Sequence, residues 1–320
     1  MSATSHLRPS PEKAFQVKTC MDNSELCSSM ITCPMCGYKL SLKHKGYAVI
    51  SPWIREWGGV RTRTSEFFVC GFCEGGFFDY RYSDEEMANI YSQYRSSEYT
   101  TTRTKWEPWY TDIFNLAHNL GPLVEERKVI LELFLARCGV KDLKTVVDVG
   151  GDLGQGIPDF NFDTSKYVLD VTNRELVHGV HRVKALDELS EIDLIIFANV
   201  LEHVANPLAD LGKLLLSAKF VYVEVPFGVP TINFIRKLKA FQVVIVGLSL
   251  NSHFWKWFSI PSTGRDPRSS ILRQSEHIQF FNEVTLKVMA EKLKKNIVLS
   301  VATIPTPEGG KGKAIQALFY

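Results

Sequence analysis

Apolar residues recur at helical spacing in three stretches of the chain, with short continuous apolar runs between them. Over Leu123–Cys138, Val129, Ile130, Leu133 and Phe134 fall on one predicted helical face, and Gly139 supplies the stop. Leu208, Leu211 and Leu215 line a second helix, with Asn206 able to cap it and Pro207 suited to its first turn. Leu286, Met289 and Leu293 line a third, capped by Asn282. Ser83 followed by Glu86 is the signature of a further helix start. Thr145–Val149, Lys166–Asp170, Asp193–Ala198 and Phe220–Val225 read as strands, the last followed by Pro226. Asn296–Ile304 and Ala314–Tyr320 read as a closing hairpin. This alternation predicts an α/β fold, a doubly wound, mostly parallel sheet with one antiparallel strand.

The N-terminal part follows a different pattern. Residues 1–30 are polar, rich in Ser and Pro, and predict a mobile tail. Residues 31–82 are short runs broken by glycines and two C-x-x-C pairs, as in a small metal-held module. Residues 83–142 read as a helical linker or cap, and 143–320 as the α/β domain. Cys33-Pro-Met-Cys36 and Cys70-Gly-Phe-Cys73 are separated by 33 residues, which an inserted hairpin would explain. Four thiolates on two tight turns suit one tetrahedral structural zinc, leaving Cys20, Cys27 and Cys138 as free thiols. A redox pair or simple buried thiols are the rival readings.

Composition narrows the function classes. With Lys+Arg 37 against Asp+Glu 35, the chain has no bulk charge for gripping a polyanion, and 45% hydrophobic residues exclude global disorder. The longest apolar run, Phe241–Leu250, falls well short of a membrane span of about 20 residues. No secretory h-region is readable near the start, and free-thiol chemistry suits a reducing compartment, so a cytoplasmic protein is expected.

Val146-Val-Asp-Val-Gly-Gly-Asp-Leu-Gly-Gln-Gly156 is a strand running into a glycine-rich turn, where the backbone can approach a ligand closely. Asp170 closes the next strand 22 residues after Asp148, a place from which a carboxylate accepts both hydroxyls of a ribose. A turn that cradles a pyrophosphate avoids negative charge, yet Asp148 and Asp152 sit in this one. A ligand with a ribose and a cationic end fits better, and S-adenosylmethionine has a sulfonium, an ammonium and a ribose. A tight turn without any ligand is the competing reading.

From about Leu143 to the C-terminus, the chain resembles class I S-adenosylmethionine-dependent methyltransferases. Asp148, Gly150 and Gly154 match that family's acid-x-Gly-x-Gly-x-Gly turn, Asp152 stands where the middle glycine usually sits, and Asp170 matches its ribose acid. The segment Asp193–Pro207, containing Asn-Val-Leu-Glu-His-Val, resembles the fourth-strand motif, and Phe220–Val225 with Pro226-Phe-Gly228 resembles the fifth. The resemblance implies a seven-stranded Rossmann-like sheet and methyl transfer. It also implies a cofactor site of Asp148, Gly150, Gly151, Asp152, Gly154, Asp170, Val171, Asn199 and Val200. A preceding zinc-binding domain is similar to the arrangement in sugar and polysaccharide methyltransferases, including the deoxysugar C-methyltransferases. Their Tyr-rich stretch falls loosely on Tyr91–Tyr99, and their His-Glu-His segment on Ser275-Glu276-His277, without its first His. Oxygen and carbon both stay open as the acceptor atom.

Displacement at a sulfonium needs no acid for the leaving group, but a hydroxyl or carbon acceptor must lose a proton. His277, with Glu276 as orienting partner or substrate contact, is the first candidate base; His203, just after the fourth strand, is the second. Both are placed at the carboxyl edge of the sheet, where ligands bind. Histidines that merely cap or pack are the plain alternative. Residues 227–275 hold seven Lys/Arg, seven aromatics and one acid, Asp266. They predict a lid over an anionic small-molecule or glycan acceptor, or a patch resting peripherally on a membrane surface. Basic residues between the knuckles, beside Trp53 and Trp57, keep a zinc-bearing RNA methyltransferase open as an alternative, which the low net charge disfavours. A non-catalytic binding module is the third reading. Nothing in the sequence sets the oligomeric state.

Overall fold

The computed structural model describes residues 30–41, 45–108, 110, 121–229, 273–305 and 311–320. Cys20, Cys27, the expected tail up to residue 29 and most of the expected lid lie outside the described residues. The first knuckle sits between β1 (Met30–Thr32) and β2 (Lys39–Ser41), an antiparallel pair. β3 (Lys45–Ile50), helix α1 (Pro52–Trp57) and β4 (Thr64–Val69) fill the space between the knuckles, so the insertion is strand–helix–strand. β5 (Gly76–Phe78) follows the second knuckle. Trp53 of α1 is fully buried and Trp57 packs beside it, so neither stands out as a base-stacking surface.

Helix α2 (Asp84–Tyr91) starts with the predicted capping box, in which the Glu86 amide donates to Ser83 Oγ and Glu86 accepts from the Ser83 amide. It is followed by α3 (Ser97–Trp106) and α4 (Pro122–Arg137). The buried face of α4 differs from the expected one. Val124, Leu131, Phe134 and Leu135 go in, while Val129 and Leu133 are exposed. Arg127, one helical turn from Leu131, explains the rotation: it lies on the inward side and pairs with the buried carboxylate of Glu224.

The α/β domain then builds one sheet from β6 (Thr145–Val149), β7 (Ser165–Leu169), β8 (Val180–Arg182), β9 (Leu194–Ala198), β10 (Phe220–Pro226) and the closing pair. Helix α5 (Pro207–Ser217) connects β9 to β10; Pro207 takes the first turn as expected, whereas the Asn206 side chain makes no cap bond. After β10 come two short strands, β11 (Arg273–Gln274) and β12 (Gln279–Phe280). Helix α6 (Glu283–Leu293) follows, its amide at Thr285 capped by Asn282. β13 (Ile297–Pro305) and β14 (Lys311–Phe319) close the chain as an antiparallel hairpin.

The large sheet has the order β13-β14-β10-β9-β6-β7-β8, with β14 antiparallel to both neighbours and every other pairing parallel. This is the expected seven-stranded, doubly wound, Rossmann-like sheet with its one reversed strand. Val147, Ile195, Val221, Val223, Ile315 and Ala317 are fully buried in its core. Truncating a buried isoleucine such as Ile195 or Ile315 to alanine costs about 2–5 kcal/mol.

β11 and β12 do not join that sheet. β11 pairs in parallel with β3 (Arg273 opposite Val49) and β12 pairs antiparallel with β5 (Gln279 opposite Phe77), completing a five-stranded sheet β11-β3-β4-β5-β12. The strap between them, Ser275–Ile278, therefore crosses from one edge of the cysteine module's sheet to the other. Met35, Phe68, Cys70 and Phe77 share one continuous core with Phe281, Leu286 and Met289. Among the described residues, no helix is long and apolar enough to cross a membrane.

Candidate active site

The parallel strands end at one edge, and the turns after them bring the candidate ligand groups there. Gly150 (φ +79°) and Gly154 (φ +76°) are left-handed, and a Cβ on Gly150 would meet Val200 Cγ2 at 2.6 Å. Only glycine lets the turn pack against the segment after β9. Asp152 is left-handed as well (φ +52°), a conformation aspartate tolerates better than most residues. Its carboxylate is engaged by protein cations: Arg174 Nη1 donates at 2.8 and 3.0 Å, and Arg95 Nη1 lies 3.6 Å away.

The Asp170 carboxylate is fixed from both sides. The Asp152 amide donates to Oδ2 at 2.9 Å and the Thr172 amide to Oδ1 at 2.7 Å, which leaves each oxygen a further lone pair. Val171, next in the chain, is exposed, an apolar surface beside that carboxylate. Asp148 is buried; burial, then the charge of Asp170, with Asp152 adding and Arg127 opposing, pushes its carboxyl up to about 7. Gly151 lies so close behind it that a Cβ there would sit 2.4 Å from the Asp148 carboxyl. Asn199 is also left-handed (φ +55°), and its amide donates to the Glu224 carbonyl at 2.8 Å. Of the nine expected cofactor residues, Asp148 lies near the end of β6 and the other eight on the loops that follow β6, β7 and β9.

Beyond them is a cluster of imidazoles and carboxylates. The rings of His203 and His277 meet edge to face, 4.7 Å between centroids. His203 Nδ1 lies 3.0 Å from Tyr91 Oη and 3.1 Å from the Glu276 carbonyl oxygen. The Glu276 carboxylate accepts from Tyr99 Oη (2.8 Å) and from both terminal nitrogens of Arg103 (2.7 and 3.1 Å). Burial alone would raise the Glu276 carboxyl, but the Arg103 guanidinium, the imidazoles and Tyr99 outweigh it and hold it at about 2. Burial, reinforced by His203, brings His277 down to about 3, and burial likewise lowers His203. Burial thus favours the neutral form of both rings, in which each keeps a nitrogen lone pair. Glu202 precedes His203 and is driven up to about 8, chiefly by burial.

The two histidine-bearing segments are clamped together. Arg81 donates to the carbonyls of Val204 (2.9 Å), Ala205 (2.8 Å) and Ile278 (3.1 Å) and to the Gln279 side chain. Gln279 in turn donates to the carbonyls of Val204 (2.8 Å) and Leu201. The cysteine module therefore sets the spacing between His203 and His277.

The four knuckle cysteines are buried and converge. Cys33 and Cys73 Sγ are 3.7 Å apart, as are Cys36 and Cys70, and all four sulfurs lie within 4.8 Å of one another. A tetrahedral ion with metal–sulfur bonds near 2.3 Å needs sulfur separations of about 3.8 Å, so the donor set fits zinc. Cys138 is a separate, partly buried thiol.

No protein-family model matches the chain, and no curated protein matches it. Solved structures give similarities at low scores. A Burkholderia thailandensis 1,6-didemethyltoxoflavin-N1-methyltransferase with bound 1,6-didemethyltoxoflavin and S-adenosylhomocysteine superposes with TM-score 0.43 at 11% identity, over 80% of this chain and 95% of that one. The magnesium protoporphyrin IX methyltransferase of Synechocystis PCC 6803 gives 0.39 at 13% identity, over 68% of this chain and 94% of that one. The N-terminal domain of EvdMO1, in the presence of S-adenosylhomocysteine and D-fucose, gives 0.37 at 12% identity, over 61% and 82%.

Sequence reasoning brought His203, Glu276 and His277 to one edge, and the structure places them in contact. It did not single out Arg103, Glu107, Arg81 or Glu202. Glu202 could have been noticed as an acid inside an apolar strand ending. The Arg103–Glu107 pair is an i,i+4 signal the sequence did carry, whereas the Glu276 partner of Arg103 and the Val204 and Ala205 partners of Arg81 are more than 100 residues away.

Proposed function

We propose that this chain is an S-adenosylmethionine-dependent methyltransferase acting on a sugar, nucleotide sugar or glycan, at oxygen or carbon. The observation that carries this reading is the fixed, doubly tethered Asp170 carboxylate on the same edge as buried Asp148 and the neutral His203–His277 pair. Asp170 would take the ribose hydroxyls, Val171 would flank the adenine, and Asp148 with the Gly150–Gly154 turn would face the methionine end. The cofactor supplies an electrophilic methyl group. The chain's own contribution is to hold the acceptor in line with it, and positioning of this kind contributes several kcal/mol. The His203–Glu276–His277 cluster would deal with the acceptor's proton, its imidazole lone pairs pointing at the reacting edge while Glu276 is locked by Arg103 and Tyr99. The sugar class rests on the resemblance in the tyrosine stretch, whose Tyr91 and Tyr99 both touch this cluster. An anionic acceptor suits the seven Lys/Arg at 227–275. The cysteine cluster would hold one structural zinc, which keeps the Arg81 clamp in place.

Mass spectrometry of nucleotide sugars and glycans incubated with the protein and S-adenosylmethionine tests the proposal. One member of the panel should gain the mass of a methylene group, and the gain should vanish in His277→Ala. Methylation confined to RNA, or to no acceptor at all while the cofactor binds, would refute the sugar assignment.

A further inference from the structure

We infer that Glu202, His203 and His277 form a second cation site, for a divalent first-row transition-metal ion, at the reacting edge of the sheet. The ligating atoms of the three residues all lie within 4.8 Å of one another. Bonds of roughly 2.0–2.2 Å from one tetrahedral ion put nitrogen and oxygen ligands about 3.3–3.6 Å apart, so side-chain rotations of about an ångström close the site.

Glu202 supplies the independent observation. It is 1% exposed, and neither carboxylate oxygen has a hydrogen-bond partner among the described residues. A buried carboxylate without donor or cation is strongly unfavourable, and native structures satisfy nearly all such groups. The other polar carboxylates nearby have partners: Glu276 has Arg103 and Tyr99, and Glu224 has Arg127 and Tyr222. Glu202 has only the His203 imidazole, 3.9 Å away.

His203 is oriented as a ligand. Its Nδ1 lies 3.1 Å from the Glu276 carbonyl oxygen, which can only accept, and 3.0 Å from the Tyr91 hydroxyl, which can do either; the tautomer that satisfies the carbonyl puts the proton on Nδ1. The lone pair is then on Nε2, and Nε2 faces Glu202 Oε1 at 3.9 Å. At that distance the carboxyl and the imidazole nitrogen do not hydrogen-bond, and a divalent cation displacing the carboxyl proton would bridge them. A ring N–H given to a backbone carbonyl is the usual outer support of a metal-bound histidine. One carboxylate and two imidazoles suit zinc-like or iron-like ions and leave coordination positions open. The inference rests on the proposed function and deepens it in one respect: the imidazole lone pairs would hold the cation, and the cluster would deal with the acceptor's proton through it, the ion acidifying a hydroxyl in an open position so that its proton passes to water.

The test is a Co²⁺ titration of the full-length, zinc-loaded protein, followed by calorimetry and visible absorption. One Co²⁺ per chain beyond the zinc is expected, with d–d bands and no thiolate charge-transfer band. Glu202→Gln should weaken this uptake at least tenfold with zinc content and circular dichroism unchanged; His277→Ala, at the less buried strap, gives the same readout should the first variant not fold. No Co²⁺ uptake, or uptake unchanged in both variants, overturns the site. S-adenosylmethionine binding is measured on the same preparation. Cofactor binding without Co²⁺ uptake overturns the cation site alone, whereas Co²⁺ uptake without cofactor binding overturns the proposed function and leaves the site standing.

Discussion

Arg103→Met removes a charge from the centre of the molecule while keeping an apolar chain against Trp53 and Tyr110. Arg103 is 5% exposed, and its guanidinium lies 4.5 Å from the Trp53 ring and 3.9 Å from the Tyr110 ring. It donates to Glu276 twice and to Glu107 at 2.9 Å, so the substitution leaves Glu276 with Tyr99 and Glu107 with Arg273 as their remaining partners. Breaking a buried pair from one side costs about 3–5 kcal/mol. A second route gives a similar figure. Glu276 is held at about 2 against an ordinary 4.5, mainly by Arg103 once burial is overcome, and at 1.36 kcal/mol per unit this corresponds to about 3 kcal/mol. The Glu276 side chain is 14% exposed, which favours the lower half of the range. The pH dependence has a definite sign. Because the folded-state carboxyl is depressed, its contribution to the wild type is present above pH 4.5 and is lost as pH falls towards 2. The difference between wild type and Arg103→Met should therefore be about 3–4 kcal/mol at pH 7 and shrink below pH 4.5. Urea unfolding followed by circular dichroism measures it. Adding Glu276→Gln to Arg103→Met should restore part of the loss. A difference under about 1 kcal/mol, or one that stays constant down to pH 3, would refute the reasoning.

Three further outcomes are expected. Cys36→Ser should strip the knuckle metal and loosen the Arg81 clamp, since structural zinc contributes on the order of 10 kcal/mol of binding; metal analysis showing full zinc in that variant would overturn the assignment. Cofactor affinity should rise with pH from 6 to 8, because Asp148 ionises near 7 and its charge favours the sulfonium; about tenfold is expected if only the ionised form binds, with a shallower slope for uncharged-sulfur S-adenosylhomocysteine, and a flat profile would place the sulfonium elsewhere. His277→Ala should lower turnover by about 10²-fold or more with cofactor affinity intact, as losing a proton-handling group does; normal turnover would remove His277 from the chemistry.

Strands β6, β9 and β10 were legible because each is a short, continuous apolar run bounded by Gly, Asn or Pro, and a strand buried on both faces needs no alternation. The capping box at Ser83 and the cap at Asn282 were legible because both signals lie within one helical turn. What was lost is long-range. The register that sends Ser275–Ile278 across the cysteine module's sheet depends on pairings of Arg273 with Val49 and Gln279 with Phe77, which no local pattern encodes. The α4 face was misjudged for the same reason, since the Arg127–Glu224 pair turns a charged position inward. At the edge of the sheet, Asp148, Asp170, His203 and His277 were readable from residue type and place. The long-range contacts of Arg103 and Tyr99 with the Glu276 carboxylate were not.

The most direct measurement is calorimetric titration of the purified chain with S-adenosylmethionine, run beside Asp170→Ala. Removing a carboxylate that accepts two hydroxyls should cost roughly 2–4 kcal/mol of binding. The account predicts one cofactor per chain for the wild type and at least tenfold weaker binding for a folded Asp170→Ala. No heat with the wild type, or equal affinity in the two proteins, would contradict it.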